Sequence, residues 1–175
     1  HSGLNYLSEQ FIKSNNIYSD WSELSGSPHI DFARWADEII IYPASANLIS
    51  KISSGIADDL LTSTILMFSK PIYICPAMHE EMYVNSQIQS NVLNLSKNHY
   101  IVGPRFGNLD IGDKGLGRLI EPQELLGVLN KQKGKIIVTS GPTYEEIDDV
   151  KVVTNKSSGK QGRALAIELS ARGYE

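Results

Sequence analysis

A serine, two histidines and two asparagines stand where apolar runs or turns end, and their types could do chemistry. Ser45 and Asn47 follow the run Ile39-Ile40-Ile41-Tyr42 and its Pro43-Ala44. A hydroxyl and an amide there can meet the donors and acceptors along the edge of a flavin-like ring. The small residues Ala44 and Ala46 let a planar ligand approach the backbone. Ser and Asn are also common helix caps, and capping alone would account for both. Met78 and His79 follow a second run, Pro71-Ile72-Tyr73-Ile74-Cys75, closed by Pro76-Ala77. His79 could hold a carboxylate or simply open a helix, and Met78 alone fits core packing. His29 follows Ser25-Gly26-Ser27-Pro28, where it could bind a carboxylate, act as an acid, or be a surface histidine. Two histidines without a third ligand at metal spacing make no metal site. Within Asp110-Ile111-Gly112-Asp113-Lys114-Gly115-Leu116-Gly117-Arg118, Arg118 is the strong anion anchor. That segment could be a lid, an anion cradle, a surface loop or an oligomer contact. Ser157-Ser158-Gly159-Lys160 ahead of a helix suggests a phosphate site, although the full G-x-x-x-x-G-K-[ST] pattern is absent.

The elements that must position these residues follow from the apolar pattern. Both apolar runs read as short strands that stop at a proline and lead into a helix. Neither alternates, which predicts strands covered on both faces, as in a parallel sheet. In open parallel sheets the ligand lies past the carboxyl ends of the strands, where the next helix presents free N–H groups. Cys75, inside the second strand, reads as inert packing. Spacing predicts a short helix around Leu4 to Ile12, a loop over 18–28, and a helix opening at His29. Further helices are expected over 48–53 and 56–68, broken at Ser54-Gly55, and over 80–97. A third strand is expected at 100–102, a long glycine-rich loop over 103–117, and a helix over 121–130 with Pro122 in its first turn. A polar linker at 131–134, a strand at 135–139 and a helix over 161–172 suggest a new domain.

The chain has 175 residues, 41% of them hydrophobic, a net charge of -4 and one cysteine. That bounds it to one domain plus the start of another, 1–130 and 131–175; the second stretch is below the size that usually folds alone. The charge gives no footprint for nucleic acid or an anionic membrane. No apolar run approaches the roughly 20 residues a membrane span needs. The single cysteine excludes an internal disulfide and fits a reducing, cytoplasmic setting. The opening His1 and the lack of an early strand with a glycine turn suggest a start partway into a domain.

Taken in order, Pro28-His29-Ile30, Pro43-Ala44-Ser45-Ala46-Asn47, Gly55-Ile56-Ala57-Asp58-Asp59-Leu60-Leu61, Pro76-Ala77-Met78 and Gly112-Asp113-Lys114-Gly115-Leu116-Gly117-Arg118 closely resemble the flavin-dependent cysteine decarboxylase family. Gly141-Pro142-Thr143 and Asn155-Lys156-Ser157-Ser158-Gly159-Lys160 resemble the opening of phosphopantothenate–cysteine ligase. The order resembles the bifunctional decarboxylase–ligase family of coenzyme A biosynthesis. The resemblance implies a Rossmann-like, flavodoxin-type three-layer α/β fold binding FMN, assembled as a homotrimer or dodecamer with FMN between protomers. It implies that Ser45, Ala46, Asn47, Leu48, Ala77 and Met78 hold FMN and that His29 is the active-site histidine. It implies that His79, Ile111, Gly112, Asp113 and Arg118 face the substrate, 4'-phosphopantothenoylcysteine. For the ligase part it implies Asn155 in the acyl-nucleotide step, with CTP or ATP and Mg.

The chain departs from the family pattern at three places. The family's asparagine after Pro-x-Met is His79, its lid cysteine is Ile111, and the arginine after the ligase threonine is Tyr144. Isoleucine cannot donate a proton, so decarboxylation is expected to stop at the enethiol. Two alternatives stay open: a non-catalytic or half-site subunit of the same family, and a peptide-cysteine decarboxylase that stops at the enethiol. The front strand and phosphate turn of the decarboxylase and most of the ligase are expected to lie outside this chain.

Overall fold

The computed structural model of the protein describes residues 17–18, 21, 24–109, 112–130 and 134–174. The helix expected near Leu4 to Ile12 lies outside them. The chain divides into two compact units, His1–Leu119 and Ile120–Glu175.

In the first unit β1 (Ile40–Ala44), β2 (Tyr73–Pro76) and β3 (Tyr100–Ile101) form a parallel sheet in the order β1-β2-β3. Tyr73 faces Ile40 on one side and Tyr100 on the other. All four residues of the central strand are buried, which is why its sequence runs apolar without alternation. The core gathers Ile41, Ile49, Ile65, Ile72, Ile74 and Leu95. β1 does not stop at its proline as expected; it runs through Pro43 to Ala44. The register shifts between Ile41 and Ala44, so Pro43 stands where the ladder asks nothing of its missing N–H.

Helices cover the sheet. α1 (Pro28–Trp35) packs against α3 (Leu60–Met67). α2 (Ala46–Ser54) ends at Gly55, whose φ of +69° suits a residue without Cβ. α3 starts at Leu60, later than the expected 56, because Asp59 and Thr62 form a reciprocal capping box. The helix expected over 80–97 is two pieces, α4 (Glu80–Tyr83) and α5 (Ser86–Leu95). Asn85 leaves helical geometry and caps the second piece by accepting from the Gln87 amide at 3.0 Å. α5 is tied to α2 by Asn91 donating to Ser50 at 3.1 Å and Asn94 donating to Ser53 at 3.3 Å.

The glycine-rich segment is not an open loop. It folds as an antiparallel hairpin of β4 (Arg105–Asn108) and β5 (Lys114–Arg118). Two inward positions of β5, Gly115 and Gly117, are buried. Glycine weakens a strand unless another group must come close, and the candidate active site supplies both groups.

In the second unit α6 (Pro122–Asn130) packs on α7 (Lys160–Ala171). Gly127 leaves room for the carbonyl of Ser170, and Asn130 donates to the Ala171 carbonyl at 2.7 Å. β6 (Tyr144–Glu146) and β7 (Val152–Thr154) form an antiparallel pair. Residues 135–139, expected as a strand, have no ladder partner among the described residues.

Candidate active site

The carboxyl ends of β1 and β2 meet. Ala44 lies in register with Pro76, and the Ala77 amide donates to the Ala44 carbonyl at 3.0 Å. This single bond sets the turn Ser45-Ala46-Asn47-Leu48 beside Ala77-Met78-His79. Ser45 is a helix cap: its Oγ accepts from the Leu48 amide at 3.3 Å, which leaves the hydroxyl proton to donate. Asn47 is exposed, and its side chain makes no hydrogen bond among the described residues. Ala46 is buried, while Leu48 and Met78 pack on the hydrophobic core. These three would offer a ligand backbone groups more than side chains. The edge therefore combines small residues, one free amide side chain and one free hydroxyl proton, a set that fits a flat ring carrying donors and acceptors on its rim.

His79 lies on the same edge. Its Nδ1 bonds to the Glu81 carboxylate, and its Nε2 is 3.5 Å from Asp113 Oδ2. That separation is within ion-pair reach but too long for a hydrogen bond, and Nε2 is buried without a hydrogen-bond partner among the described residues. A bond from its own backbone amide, and then the His79 imidazole, hold the Glu81 carboxyl below its ordinary range. Asp113 and Gly112 form the tip of the hairpin, closed by the Leu109 amide on the Asp113 carbonyl at 2.8 Å. Gly112 takes φ +88°, so the tip needs a residue without Cβ there. Arg118 lies over Gly107, where a Cβ would come within 3.3 Å of its Nη1. Ile111 lies outside the described residues.

The hairpin is fastened to this edge by Met78, expected to hold FMN, and by Glu80, Leu116 and Gly117, to which no role was assigned. The Met78 amide donates to the Gly117 carbonyl at 3.1 Å. The Glu80 carboxylate accepts from the Leu116 amide at 3.1 Å. A Cβ at Gly117 would collide with the Met78 carbonyl, and one at Gly115 would stand 2.6 Å from Glu80 Oε2. Two glycines at alternate strand positions were the available signal.

His29 is the second residue of α1, at the helix N-terminus as expected, and Pro28 opens the helix. Its ring meets Trp21 edge-on at 5.0 Å, and its Nδ1 is buried without a hydrogen-bond partner among the described residues. Among the described contacts none joins His29 to Asn47 or Ala77. Cys75 is fully buried in β2, and burial pushes its thiol up to about 11.

The second unit holds a cleft of about 500 Å3 lined by Ser140, Gly141, Ser157, Gly159 and Lys160, among others. Ser140 Oγ donates to the Gly159 carbonyl at 2.9 Å, and Asn155 Oδ1 accepts from the Ser157 amide at 2.9 Å. Asn155 thus bonds within the loop and is not itself a lining residue.

A family model described as Flavoprotein matches residues 3–134. A second, described as DNA/pantothenate metabolism flavoprotein C-terminal domain, matches residues 131–175. The coenzyme A biosynthesis bifunctional protein CoaBC of Bacillus subtilis (strain 168) is 40% identical over 183 residues, covering 95% of this chain and 45% of that protein. Its counterpart in Vibrio vulnificus (strain YJ016) is 42% identical over 146 residues, covering 79% of this chain and 36% of that protein. The chain thus spans less than half the length of these curated relatives. Among solved structures, a PPC decarboxylase variant complexed with pantothenoylaminoethenethiol is similar with a TM-score of 0.67 and 31% identity, covering 73% of this chain and 76% of that one. The FMN binding protein AtHal3 is similar with a TM-score of 0.64 and 31% identity, covering 73% and 75%.

Proposed function

The chain belongs to the flavoprotein family, and from that premise we propose that it is the decarboxylase part of a coenzyme A biosynthesis enzyme, followed by the start of a phosphopantothenate–cysteine ligase. The substrate on this reading is 4'-phosphopantothenoylcysteine. The observation that carries it is the bond between Ala77 and Ala44, which sets the family-matched turns side by side at the carboxyl edge of a parallel sheet. Ligands of open α/β sheets bind there.

The donor set of that edge suits FMN. Asn47 and the Ser45 hydroxyl would meet the ring rim, and the backbone at Ala46, Leu48, Ala77 and Met78 would line it. When bound, FMN supplies the two-electron sink that lets the carboxylate leave as CO2. The chain's own part is to hold the substrate still. His79, gripped on one side by Glu81, turns Nε2 toward the substrate carboxylate. Gly112 and Asp113 close over it, with Arg118 as the anion anchor and Ile111 in place of a proton donor. His29 keeps an unpartnered Nδ1, which suits an acid that works on a ligand. Self-association into a homotrimer or dodecamer would bring it to the flavin edge of a second copy. In the second unit the cleft at Gly141 and Ser157 to Lys160 suits CTP or ATP with Mg, with Asn155 supporting the acyl-nucleotide step. The functional boundary lies in the linker 131–134. A cytoplasmic setting suits this chemistry.

The test is the full-length protein, its visible spectrum and its product mass. The expected result, in air so that dissolved oxygen takes the two electrons left on the flavin, is bound flavin, CO2 release from 4'-phosphopantothenoylcysteine, and a product two hydrogens lighter than 4'-phosphopantetheine. Absence of flavin points to the non-catalytic subunit. Flavin with turnover only of a peptide cysteine points to the peptide decarboxylase. Efficient formation of 4'-phosphopantetheine overturns the role given to Ile111.

A further inference from the structure

We infer that Glu80 is a positioning residue: its carboxylate holds the β4–β5 hairpin in place over the turn that ends β2. The consequence for turnover rests on the function proposed above, whereas the placement itself rests on geometry alone.

Among the described residues, three contacts between the hairpin and the turn after β2 stand out, and they differ in kind. The first is between main chains, Met78 to Gly117, and no side-chain substitution removes it. The second is His79 to Asp113 at 3.5 Å, between two groups that are partly exposed, and contacts of that sort contribute little. The third is Glu80 Oε1 to the Leu116 amide at 3.1 Å, partly buried and linking positions 36 apart. A charged acceptor on a sheltered amide is the strong member of the set. The fit around it is close. A Cβ at Gly115 would stand 2.6 Å from Glu80 Oε2 and 3.0 Å from Glu80 Cβ. Glycine at 115 therefore gives the carboxylate its seat. Leu116 faces Phe106 across the hairpin, so fixing its amide fixes the middle of the strand whose preceding turn carries Gly112 and Asp113.

The experiment is site-resolved amide hydrogen exchange in the full-length protein, without substrate, on three variants. Glu80→Ala should speed exchange at Leu116 about ten-fold or more, with Ile41 and Ile74 unchanged. Glu80→Gln, which keeps an acceptor oxygen, should recover most of that protection. Gly115→Ala should reproduce the loss by pushing the carboxylate off its seat. Unchanged exchange at Leu116 in Glu80→Ala overturns the inference, as does equal loss of protection at Leu116 and Ile74, which would mean general unfolding. On the substrate, Glu80→Ala should raise KM with flavin content retained. A wild-type protein without turnover would overturn the proposed reaction while leaving the exchange result to decide the role of Glu80.

Discussion

The amide of Met78 donates to the carbonyl of Gly117 across 3.1 Å, and Gly117 sits so close to the Met78 carbonyl that no side chain fits between them. Two segments far apart in sequence thereby share one backbone seam. One is the turn at the carboxyl end of the central strand. The other is the hairpin that carries Gly112, Asp113 and Arg118. The seam sets the strand that leads from Gly112 and Asp113 to Arg118 against the turn that carries Met78 and His79.

Replacing Gly117 tests that seam. In Gly117→Ala the new methyl meets a backbone oxygen, which cannot swing aside as a side chain could. Forcing a methylene into such a site costs about 1–3 kcal/mol. The urea midpoint should fall accordingly with an unchanged m-value. A midpoint equal to wild type would mean the hairpin does not dock as described.

Ser45 and Asn47 should separate by readout. Ser45 caps α2, so Ser45→Ala should cost about 1 kcal/mol of stability. Asn47 is exposed without a partner among the described residues, so Asn47→Ala should stay within about 0.5 kcal/mol of wild type. Only its flavin content, read from the visible spectrum, should drop. Equal stability losses for both would remove the case for Asn47 as a ligand group.

Much of this was legible in the residues, for reasons that differ by element. Tyr73 to Pro76 reads as a central strand because burial on both faces removes alternation. Gly55 marked a helix end because it solves a local problem, a left-handed turn, whereas the cap at Asp59 was missed, since its apolar neighbours Ile56 and Leu60 kept helical spacing through it. The stretch 103–117 was less legible, because glycine spoils the usual strand signature. Gly115 and Gly117 are there for Glu80 and Met78, contacts that no local pattern announces. Asn85 hid inside a helical run because its cap acts over two residues only. The partner of His29 is not legible at all: its orphan Nδ1 is a tertiary fact.

Acid should act partly through Asp59. Burial pushes this carboxyl up, but bonds from the Thr62 amide and hydroxyl, together with Lys51, outweigh it and leave the value below its ordinary 3.8. A depressed folded-state value means stability that is present above the unfolded value and lost as pH falls through the folded one. The contribution should be complete above about pH 5 and decline below about pH 4. Asn is an equally good cap, so Asp59→Asn should keep neutral-pH stability near wild type and flatten the acid limb. A variant with the same acid limb would show that other carboxylates govern it.

Cys75 offers a check on the core and on the chemistry. It is the one cysteine in the chain, fully buried, with its thiol held at about 11 by burial. At pH 8 almost none is thiolate, and only thiolate reacts. Alkylation of the native protein should proceed at least ten-fold more slowly than in urea, and only as fast as the molecule opens. Fast native labelling would mean that β2 is not covered on both faces.

The sharpest functional prediction concerns Ile111. On the proposed reaction, decarboxylation leaves an enethiol, and saturating it would need both the hydride that the reduced flavin would return and a proton at carbon from a nearby donor. Isoleucine has none, Cys75 is fully buried, His79 spends Nδ1 on Glu81 and keeps only Nε2, and no described contact joins His29 to the hairpin. Ile111→Cys places a thiol one residue from Gly112 at the hairpin tip. The wild-type product should be two hydrogens lighter than 4'-phosphopantetheine. The variant should convert a measurable share to the full mass, and more at pH values where the thiol keeps its proton. Cys at 111 with no gain in saturated product, in a variant that still binds flavin and releases CO2, would show that the proton comes from elsewhere. The orphan Nε2 of His79 would then be the next group to replace.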